Sequence, residues 1–502
     1  MELKTLLLSL ASMPLVRAET VLGVYIFHRH GDRTPKALAP TNLTALGADE
    51  VFQSGSYYRA KYVASDASSP IYGLSNDIAV PTQLSVISPA DSVLQSSALA
   101  FLQGIYPPAG TNAVSVLANK SEVQAPLGGY QYIPVSTSST ASSSSNSENN
   151  EWLQGGSGCG NAMVSSNNYF LSPEYTSTLD QTKSFYSSLL PVINSTFSAS
   201  QATFKNAYTI FDYINVATIH NQSIPSSDLL TNETLYELRT LADNHEWNLA
   251  YNSSDPIRAI AGATLAAQIV QQLNSTLTGK GSTPVGIQFG AYASFMSFFG
   301  LAQLDKVSAD FTGVVDYASS IVFELVTNAT STSTSSSSYP SADDVSVRFY
   351  LANGTAAVNP PRIYPLFGRG ETTLPWTTFA SEMNKFAVGD TAAWCQACGN
   401  TTGICASSAS TGGSGSGDDG DAAAAAAAAA STTSGNGISL PVAGVIGALV
   451  TLVVILGVEG LVYALAGLKL VKKSTLAACA AAAGSGVTSG TATAAAAADA
   501  KA

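Results

Sequence analysis

One short segment of the chain combines residue types that can handle a phosphoryl group. It runs Arg29-His30-Gly31-Asp32-Arg33-Thr34-Pro35 and follows directly on an apolar run. Each guanidinium offers forked N–H donors to phosphoryl oxygens, and the imidazole between them is a nucleophile that can attack phosphorus. The segment therefore carries two groups that can bind phosphoryl oxygens, Arg29 and Arg33, and one that can attack phosphorus, His30.

The apolar run ahead of this segment predicts the element that positions it. Residues 21–27 read Val-Leu-Gly-Val-Tyr-Ile-Phe, which is typical of a strand buried on both faces of a largely parallel sheet. Ligands of open α/β sheets collect beyond the carboxyl ends of parallel strands. The segment begins at that end of the predicted strand, so we expect it to lie in a binding crevice.

The remaining pattern predicts an α/β fold. Apolar spacing predicts helices over 43–62, 96–105 and 257–273 and a mostly helical stretch over 172–277. Runs of β-branched and aromatic residues predict strands over 285–289, 321–326 and 345–351. We therefore expect a mostly parallel central sheet flanked by helices, with an inserted helical region.

The segment around His30 fits the signature R-H-G-x-R-x-P and so resembles the histidine acid phosphatases, the acid phosphatase and phytase branch of the histidine phosphatase superfamily. Weaker similarity follows at 46–62, 97–107 and 297–301. The resemblance implies a histidine phosphatase-like fold, a phosphohistidine intermediate on His30, and phosphate binding by Arg29 and Arg33. The histidines are scattered and the Cys-x-x-Cys at 395–398 lacks a second pair, so no metal or other cofactor is expected.

Two positions depart from the pattern of that family. Where the resemblance places a third phosphate-binding arginine the chain has Val93, and where it places a His-Asp pair with the leaving-group acid the chain has Gly-Ala at 290–291. The candidate acids are Glu246, which follows His245, and Asp32 within the motif. The alternatives are a structural role or a place at the pocket mouth for His245 and Glu246, and a local hydrogen-bonding role for Asp32.

Composition excludes one class of function and limits the size of the folded part. Charged residues make up 11% of the 502 residues, against about 25% in ordinary soluble domains. A net charge of −12 and a pI near 4.7 argue against nucleic-acid binding, which needs a basic surface. A hydrophobic share of 46% is still enough for one sizeable core.

Both ends of the chain predict delivery to a membrane of the secretory pathway. Residues 1–18 have the charged, apolar and small-residue regions of a signal peptide. Residues 438–462 begin with 21 uncharged residues, enough to span a bilayer as a helix, and lysines follow them. We expect a type I protein of the cell surface or vacuolar membrane, with an ectodomain at 19–405, a low-complexity stalk at 406–437 and a cytoplasmic tail at 463–502.

Sequons and cysteines are compatible with that location. N-linked glycans are predicted at ten Asn-x-Ser/Thr triplets, some of which a Ser/Thr-rich chain contains by chance: Asn42, Asn119, Asn194, Asn221, Asn232, Asn252, Asn274, Asn328, Asn353 and Asn400. Four cysteines precede the predicted span: Cys159, Cys395, Cys398 and Cys405. They can form two disulfides in any of three pairings.

Three functional hypotheses follow. The first is an extracytoplasmic phosphomonoester hydrolase that works on a phosphorylated small molecule through phosphohistidine. The second is a catalytically impaired family member that binds a phosphate ligand or serves as a structural surface glycoprotein, since position 93 and positions 290–291 lack the expected charged groups. A mucin-like stalk protein would account for the Ser/Thr tracts but not for the strand and the motif.

Overall fold

The strand ahead of the motif is present and lies in the middle of the main sheet. A computed structural model describes residues 19–137, 158–220, 223–329 and 339–406. Strand β1 (Thr20–Arg29) is buried at every residue except the first. It pairs in parallel with β6 (Val285–Gly290) and antiparallel with β7 (Ser320–Thr327). Burial by neighbours on both faces explains why this run is continuously apolar.

The sheet is mixed, which corrects the prediction of a mostly parallel one. The other strands are β2 (Leu84–Ser88), β3 (Val114–Val116), β4 (Glu122–Gln124), β5 (Ser136–Thr137), β8 (Val345–Ala352), β9 (Arg362–Tyr364) and β10 (Thr373–Pro375). The main sheet has the order β10-β8-β7-β1-β6-β2-β5, with β9 beside β8, and β3 and β4 pair separately. Strands β1, β6, β2 and β5 run parallel, whereas β7 to β10 join by antiparallel pairs. The alternating burial of β8 is typical of an antiparallel strand with one solvated face.

Helices flank the sheet, and the segment of the chain between β5 and β6 is mostly helical. They are α1 (Ala45–Tyr58), α2 (Ser92–Ile105), α3 (Pro126–Gly129), α4 (Gly160–Asn168), α5 (Pro173–Gln181), α6 (Lys183–Ser188), α7 (Leu190–Ile193), α8 (Ala207–Ile219), α9 (Asn232–Ala250), α10 (Ile260–Thr278), α11 (Tyr292–Leu301), α12 (Trp376–Asn384) and α13 (Thr391–Cys398). A π-helical turn at Arg59–Val63 extends α1. The predicted helices over 43–62, 96–105 and 257–273 correspond to α1, α2 and α10. The inserted helical region comprises α4 to α9.

Two apolar clusters hold β1 from opposite faces and so fix the place where the motif begins. Tyr25 and Phe27 pack in a cluster with buried residues of α10 and α11. Val24 and Ile26 pack in a second cluster with buried residues of α1 and α2. Successive side chains of a strand point to opposite faces, so both clusters contribute to the position of its carboxyl end.

Two disulfides fasten the end of the described chain. Cys159 pairs with Cys398 and Cys395 pairs with Cys405, which selects one of the three possible pairings. The first bridge joins the start of α4 to α13, and the second closes a short loop after α13. The two cysteines of the Cys-x-x-Cys sequence thus enter different bridges and do not form a redox pair.

The predicted membrane elements fall elsewhere in the chain. Within the described ranges, no helix is both long and apolar enough to cross a bilayer. The predicted signal peptide at 1–18, the stalk beyond residue 406, the span at 438–462 and the tail at 463–502 lie outside the described residues.

Candidate active site

The motif leaves β1 at its carboxyl end and is almost entirely withdrawn from solvent. Arg29 is 3% exposed, His30 1%, and Asp32 and Arg33 0%. The backbone at Gly31 lies against α1, where a Cβ atom on Gly31 would stand 2.1 Å from the Gly47 carbonyl oxygen. Only glycine fits such an approach. The loop is therefore held by close contact with α1 as well as by β1.

His30 is held as a neutral nucleophile. Its Nδ1 lies 2.8 Å from the Gly31 carbonyl oxygen. A carbonyl oxygen can only accept, so Nδ1 carries the proton and Nε2 keeps its lone pair. Burial, followed by the charges of Arg29 and Arg33, lowers the pKa of His30 well below its usual value. Its surroundings therefore favour the neutral imidazole.

Arg29 is surrounded by tyrosine side chains. It donates to the Val315 carbonyl oxygen, and its Nη2 lies 3.5 Å from the Tyr208 hydroxyl. Its Cζ stands 4.6 Å from the ring centre of Tyr317 and 5.3 Å from that of Tyr292. Cation–π contacts of this kind stabilise a guanidinium that has lost most of its water. They hold Arg29 beside His30 as a charged group.

Arg33 is held by a buried carboxylate from the helical region. Its Nη1 and Nη2 lie 3.1 and 2.9 Å from the two oxygens of Asp212, and Nη2 also donates to the Tyr208 hydroxyl over 3.3 Å. Asp212 in addition accepts from the Lys36 backbone N–H at 2.8 Å and from the Tyr317 hydroxyl at 3.2 Å. This carboxylate therefore fixes Arg33 and the chain that follows it.

Both motif arginines keep one donor without an acceptor. The Nε atoms of Arg29 and Arg33 are buried and have no hydrogen-bond partner among the described residues. A buried unsatisfied donor costs about 1–3 kcal/mol. Both arginines lie close enough to His30 for their charges to lower its pKa, and the oxygens of an anion are acceptors of the kind that both Nε donors lack. The chemistry of this donor set fits a phosphoryl group.

Glu246 is connected to the motif through a tyrosine. Its Oε1 lies 2.8 Å from His245 Nδ1, and its Oε2 accepts from the Tyr292 hydroxyl at 2.6 Å. The ring of Tyr292 in turn contacts Arg29. The structure thus places Glu246 one side chain away from Arg29. Its role as the acid stays a prediction.

One carboxylate oxygen of Asp32 is held by local hydrogen bonds. Its Oδ2 accepts from Thr44 Oγ1 at 2.5 Å and lies 2.6 Å from His220 Nε2. Its backbone N–H donates to Glu50 over 2.8 Å. These contacts tie the motif to the start of α1 and to the end of α8. They correspond to the hydrogen-bonding alternative for Asp32 and leave its role as an acid a prediction.

The two departures from the family pattern are visible in the structure. Val93 is fully buried in the first turn of α2, where its N–H donates to the N-cap Asp91. Gly290 pairs with Arg29 at the end of the β1–β6 ladder, and Ala291 caps α11. Neither 290 nor 291 carries a proton donor on its side chain. Tyr292 is the first polar side chain beyond that strand.

Sequence reasoning missed most of the residues that hold the two arginines. Asp212 and Tyr208 come from α8, and Tyr317 precedes β7. One signal for Asp212 was available, since it is the one charged residue in the otherwise uncharged helix α8. A lone charge in a buried apolar helix requires a partner of opposite charge.

The chain belongs to the histidine phosphatase superfamily, branch 2, because that family model matches residues 37–351. The Arg29–Pro35 motif precedes the matched range, so the motif and the match are separate observations. A search of curated proteins finds no match to this sequence.

Solved structures of phytases resemble the fold. The apo form of Hafnia alvei phytase has a TM-score of 0.50 and 13% identity and covers 77% of this chain and 99% of its own. The phytase from Citrobacter braakii has a TM-score of 0.48 and 14% identity, with 76% and 99% covered. The phytase from D. castellii has a TM-score of 0.46 and 13% identity, with 76% and 82% covered. At 13% identity, the first of these shows a shared fold.

Proposed function

We propose that this chain hydrolyses phosphomonoesters, with His30 attacking phosphorus while Arg29 and Arg33 hold the phosphoryl oxygens. The family and the phytase-like fold both suggest a phosphomonoester hydrolase. The observation that carries the proposal is the neutral His30 with a free Nε2 lone pair beside two buried, unsatisfied guanidinium donors. A nucleophile and preorganised donors for developing charge are what phosphoryl transfer requires.

The reaction takes two steps. First, the Nε2 lone pair of His30 forms the N–P bond, and the bond from phosphorus to the leaving oxygen breaks with its electrons going to that oxygen. The imidazole ring becomes cationic, and its Nδ1–H remains hydrogen-bonded to the Gly31 carbonyl oxygen, which stabilises the charge. Then the oxygen of a water molecule attacks phosphorus, the N–P bond electrons return to Nε2, and inorganic phosphate leaves.

Location and glycosylation belong to the same proposal. Of the nine sequon asparagines within the described ranges, seven are exposed and two, Asn252 and Asn400, are half-buried. The two disulfides are typical of an oxidising compartment. Both support a glycosylated ectodomain that faces the lumen or the exterior. We further propose that this ectodomain acts on a phosphorylated small molecule and is held at the cell-surface or vacuolar membrane by residues 438–462.

A second candidate function is phosphate binding without turnover. It is favoured by Val93 and by the Gly290–Ala291 pair, since a phosphoryl ligand and a proton donor are absent from those positions. Loss of a general acid typically lowers the rate by about 10²–10⁴. The loss is larger for an alkyl ester than for an activated aryl ester, because an alkoxide is the poorer leaving group.

The test is turnover by the full-length chain and by its His30→Ala variant, from pH 4 to 7, on p-nitrophenyl phosphate and glycerol 2-phosphate. We expect turnover that the substitution abolishes, while binding of inorganic phosphate, measured by calorimetry, persists because the arginines remain. Turnover that survives His30→Ala contradicts the proposed function. Phosphate binding with hydrolysis of neither ester supports the second candidate.

A further inference from the structure

Tyr292, which follows the Gly290–Ala291 pair, carries a phenol proton and contacts a carboxyl group. Tyr292 begins α11, and its hydroxyl donates to Glu246 over 2.6 Å. Glu246 lies on α9, 46 residues earlier in the chain, so this contact depends on the packing of α9 against α11. The other oxygen of Glu246 is held by His245. A phenol and a carboxyl in contact with each other therefore lie directly after positions 290 and 291, whose own side chains carry no proton donor.

Tyr292 lies at the same edge of the sheet as the nucleophile. Gly290 pairs with Arg29, one residue before His30, so the start of α11 and the motif leave neighbouring strands side by side. The Tyr292 ring stands 5.3 Å from the Arg29 guanidinium, 5.4 Å from Lys36 Nζ and 4.7 Å from the Tyr208 ring. The side chain therefore borders the cations that would surround a bound phosphate.

We propose that Tyr292 is the proton donor to the leaving group and that Glu246 supplies the proton Tyr292 gives up. The inference rests on the proposed function, because it concerns the leaving group in the attack by His30. Glu246 acts through Tyr292 and is a positioning and proton-supplying residue, whereas Tyr292 touches the reacting oxygen. The pair would take the place of the acid missing from 290–291.

The protons balance over both steps. The relay starts with Glu246 protonated; the hydrogen bond across the 2.6 Å contact is then reversed, with the carboxyl O–H donating to the Tyr292 oxygen and the Tyr292 O–H left for the leaving oxygen. As the P–O bond breaks, the Tyr292 O–H proton passes to the leaving oxygen, and the Glu246 carboxyl proton passes to the Tyr292 oxygen. When water attacks the phosphohistidine, one water proton passes to the Tyr292 oxygen and the Tyr292 proton returns to Glu246. One turnover therefore converts ester and water into alcohol and phosphate and leaves both side chains as they began.

Titratable and charged groups face this pair from three parts of the fold. They are His245 beside Glu246, Tyr208 on α8, and Arg29 and Lys36 on the motif loop. Burial is the largest cause that raises the pKa of Tyr292 well above its usual value, so the phenol keeps its proton until the leaving oxygen takes it.

The test compares Tyr292→Phe and Glu246→Gln with a matched control, Tyr62→Phe, in the full-length chain. Tyr62 also donates to a buried carboxyl, Glu324, over 2.5 Å. Glu324 pairs with Val24, four residues before His28 along β1, which is about 13 Å at 3.3 Å per residue. The control thus removes an equivalent Tyr–Glu hydrogen bond away from the motif. The readouts are kcat and KM for p-nitrophenyl phosphate and glycerol 2-phosphate at several pH values.

The relay predicts a loss selective for the leaving group. Tyr292→Phe should lower kcat on glycerol 2-phosphate by about 10²–10⁴ and on p-nitrophenyl phosphate by less than about tenfold, because nitrophenolate leaves without a proton. Glu246→Gln should show the same selectivity, while Tyr62→Phe should leave the ratio of the two rates unchanged.

Other results overturn the inference in distinguishable ways. Equal loss on both esters, or a change confined to KM, means that Tyr292 only packs against Arg29, and refutes the relay while the proposed function stands. A selective loss in Tyr62→Phe also refutes it. An unmodified chain that hydrolyses neither ester refutes both the relay and the proposed hydrolysis, since a working relay would turn over the alkyl ester.

Discussion

Removal of the Asp212 carboxylate should strongly destabilise the protein. Asp212 and Arg33 form a bidentate pair whose side chains are 2% and 0% exposed. Truncation of one partner of a buried pair leaves an uncompensated charge away from water and costs about 3–5 kcal/mol. Asp212→Ala also removes the acceptor of the Lys36 N–H and the Tyr317 hydroxyl, but both residues are half-buried and can reach water. We therefore expect a loss of about 3–5 kcal/mol in the free energy of unfolding.

A second ion pair of the same chain provides the control. Lys183 and Asp180 approach to 2.7 Å, but their side chains are 66% and 70% exposed. Water solvates both charges before and after truncation, so Asp180→Ala should change stability by about 0–1 kcal/mol. Both variants remove an aspartate carboxylate, and the two aspartates differ in how deeply they are buried.

Urea denaturation of the full-length chain, followed by tryptophan fluorescence and circular dichroism, measures both variants. If Asp212→Ala does not fold, the double variant Arg33→Met with Asp212→Leu removes both charges and should recover most of the stability, because replacement of a buried pair by apolar residues is often neutral. A loss within about 1 kcal/mol of that for Asp180→Ala would refute the assignment of Arg33 as a buried charge held by Asp212. So would a double variant no more stable than Asp212→Ala.

Three further predictions concern pH and covalent stabilisation. Burial lowers the pKa of His28 from 6.5 to about 4, so the unfolded chain takes up a proton at a higher pH than the folded chain does, and about 3 kcal/mol of stability is lost as the pH falls from 6.5 to 4. In urea denaturation, His28→Gln should lose less stability over that range, and a loss equal to that of the unmodified chain contradicts the prediction. Burial raises the pKa of Glu50 from 4.5 to about 7, so the stability that the protonated carboxyl contributes is lost as the pH rises through 7. Glu50→Gln should therefore be more stable than the unmodified chain at pH 8 but not at pH 4, and equal effects at the two pH values contradict this prediction. Cys159→Ser opens the bridge to Cys398, which spans 239 residues, and should lower the free energy of unfolding by about 2–5 kcal/mol; calorimetry that shows no lower melting temperature refutes this.

The elements that depend on local sequence could be predicted. The run at 21–27 is apolar because both faces of β1 are buried, and the spacing in 43–62 and 257–273 reflects helices with one face on the core. The prediction failed where strand direction depends on partners, since β7 and β8 pair antiparallel and the sheet is mixed. The alternation Val-Ser-Val-Arg-Phe-Tyr in β8 is the local sign of a strand with one half-solvated face.

The same division applies to the site. The order of residues alone indicates the family, the α/β class and the grouping of Arg29, His30 and Arg33, because three residues in one short loop stay within reach of one another in any fold that continues from β1. The partners of the site residues follow from the packing of distant elements: Asp212 reaches Arg33 across 179 residues, and Glu246 reaches Tyr292 across 46. Such contacts come from the packing of α8, α9 and α11 at the end of the sheet. No spacing in one sequence encodes them, since chain connectivity sets distances only between near neighbours and burial of apolar faces sets the rest.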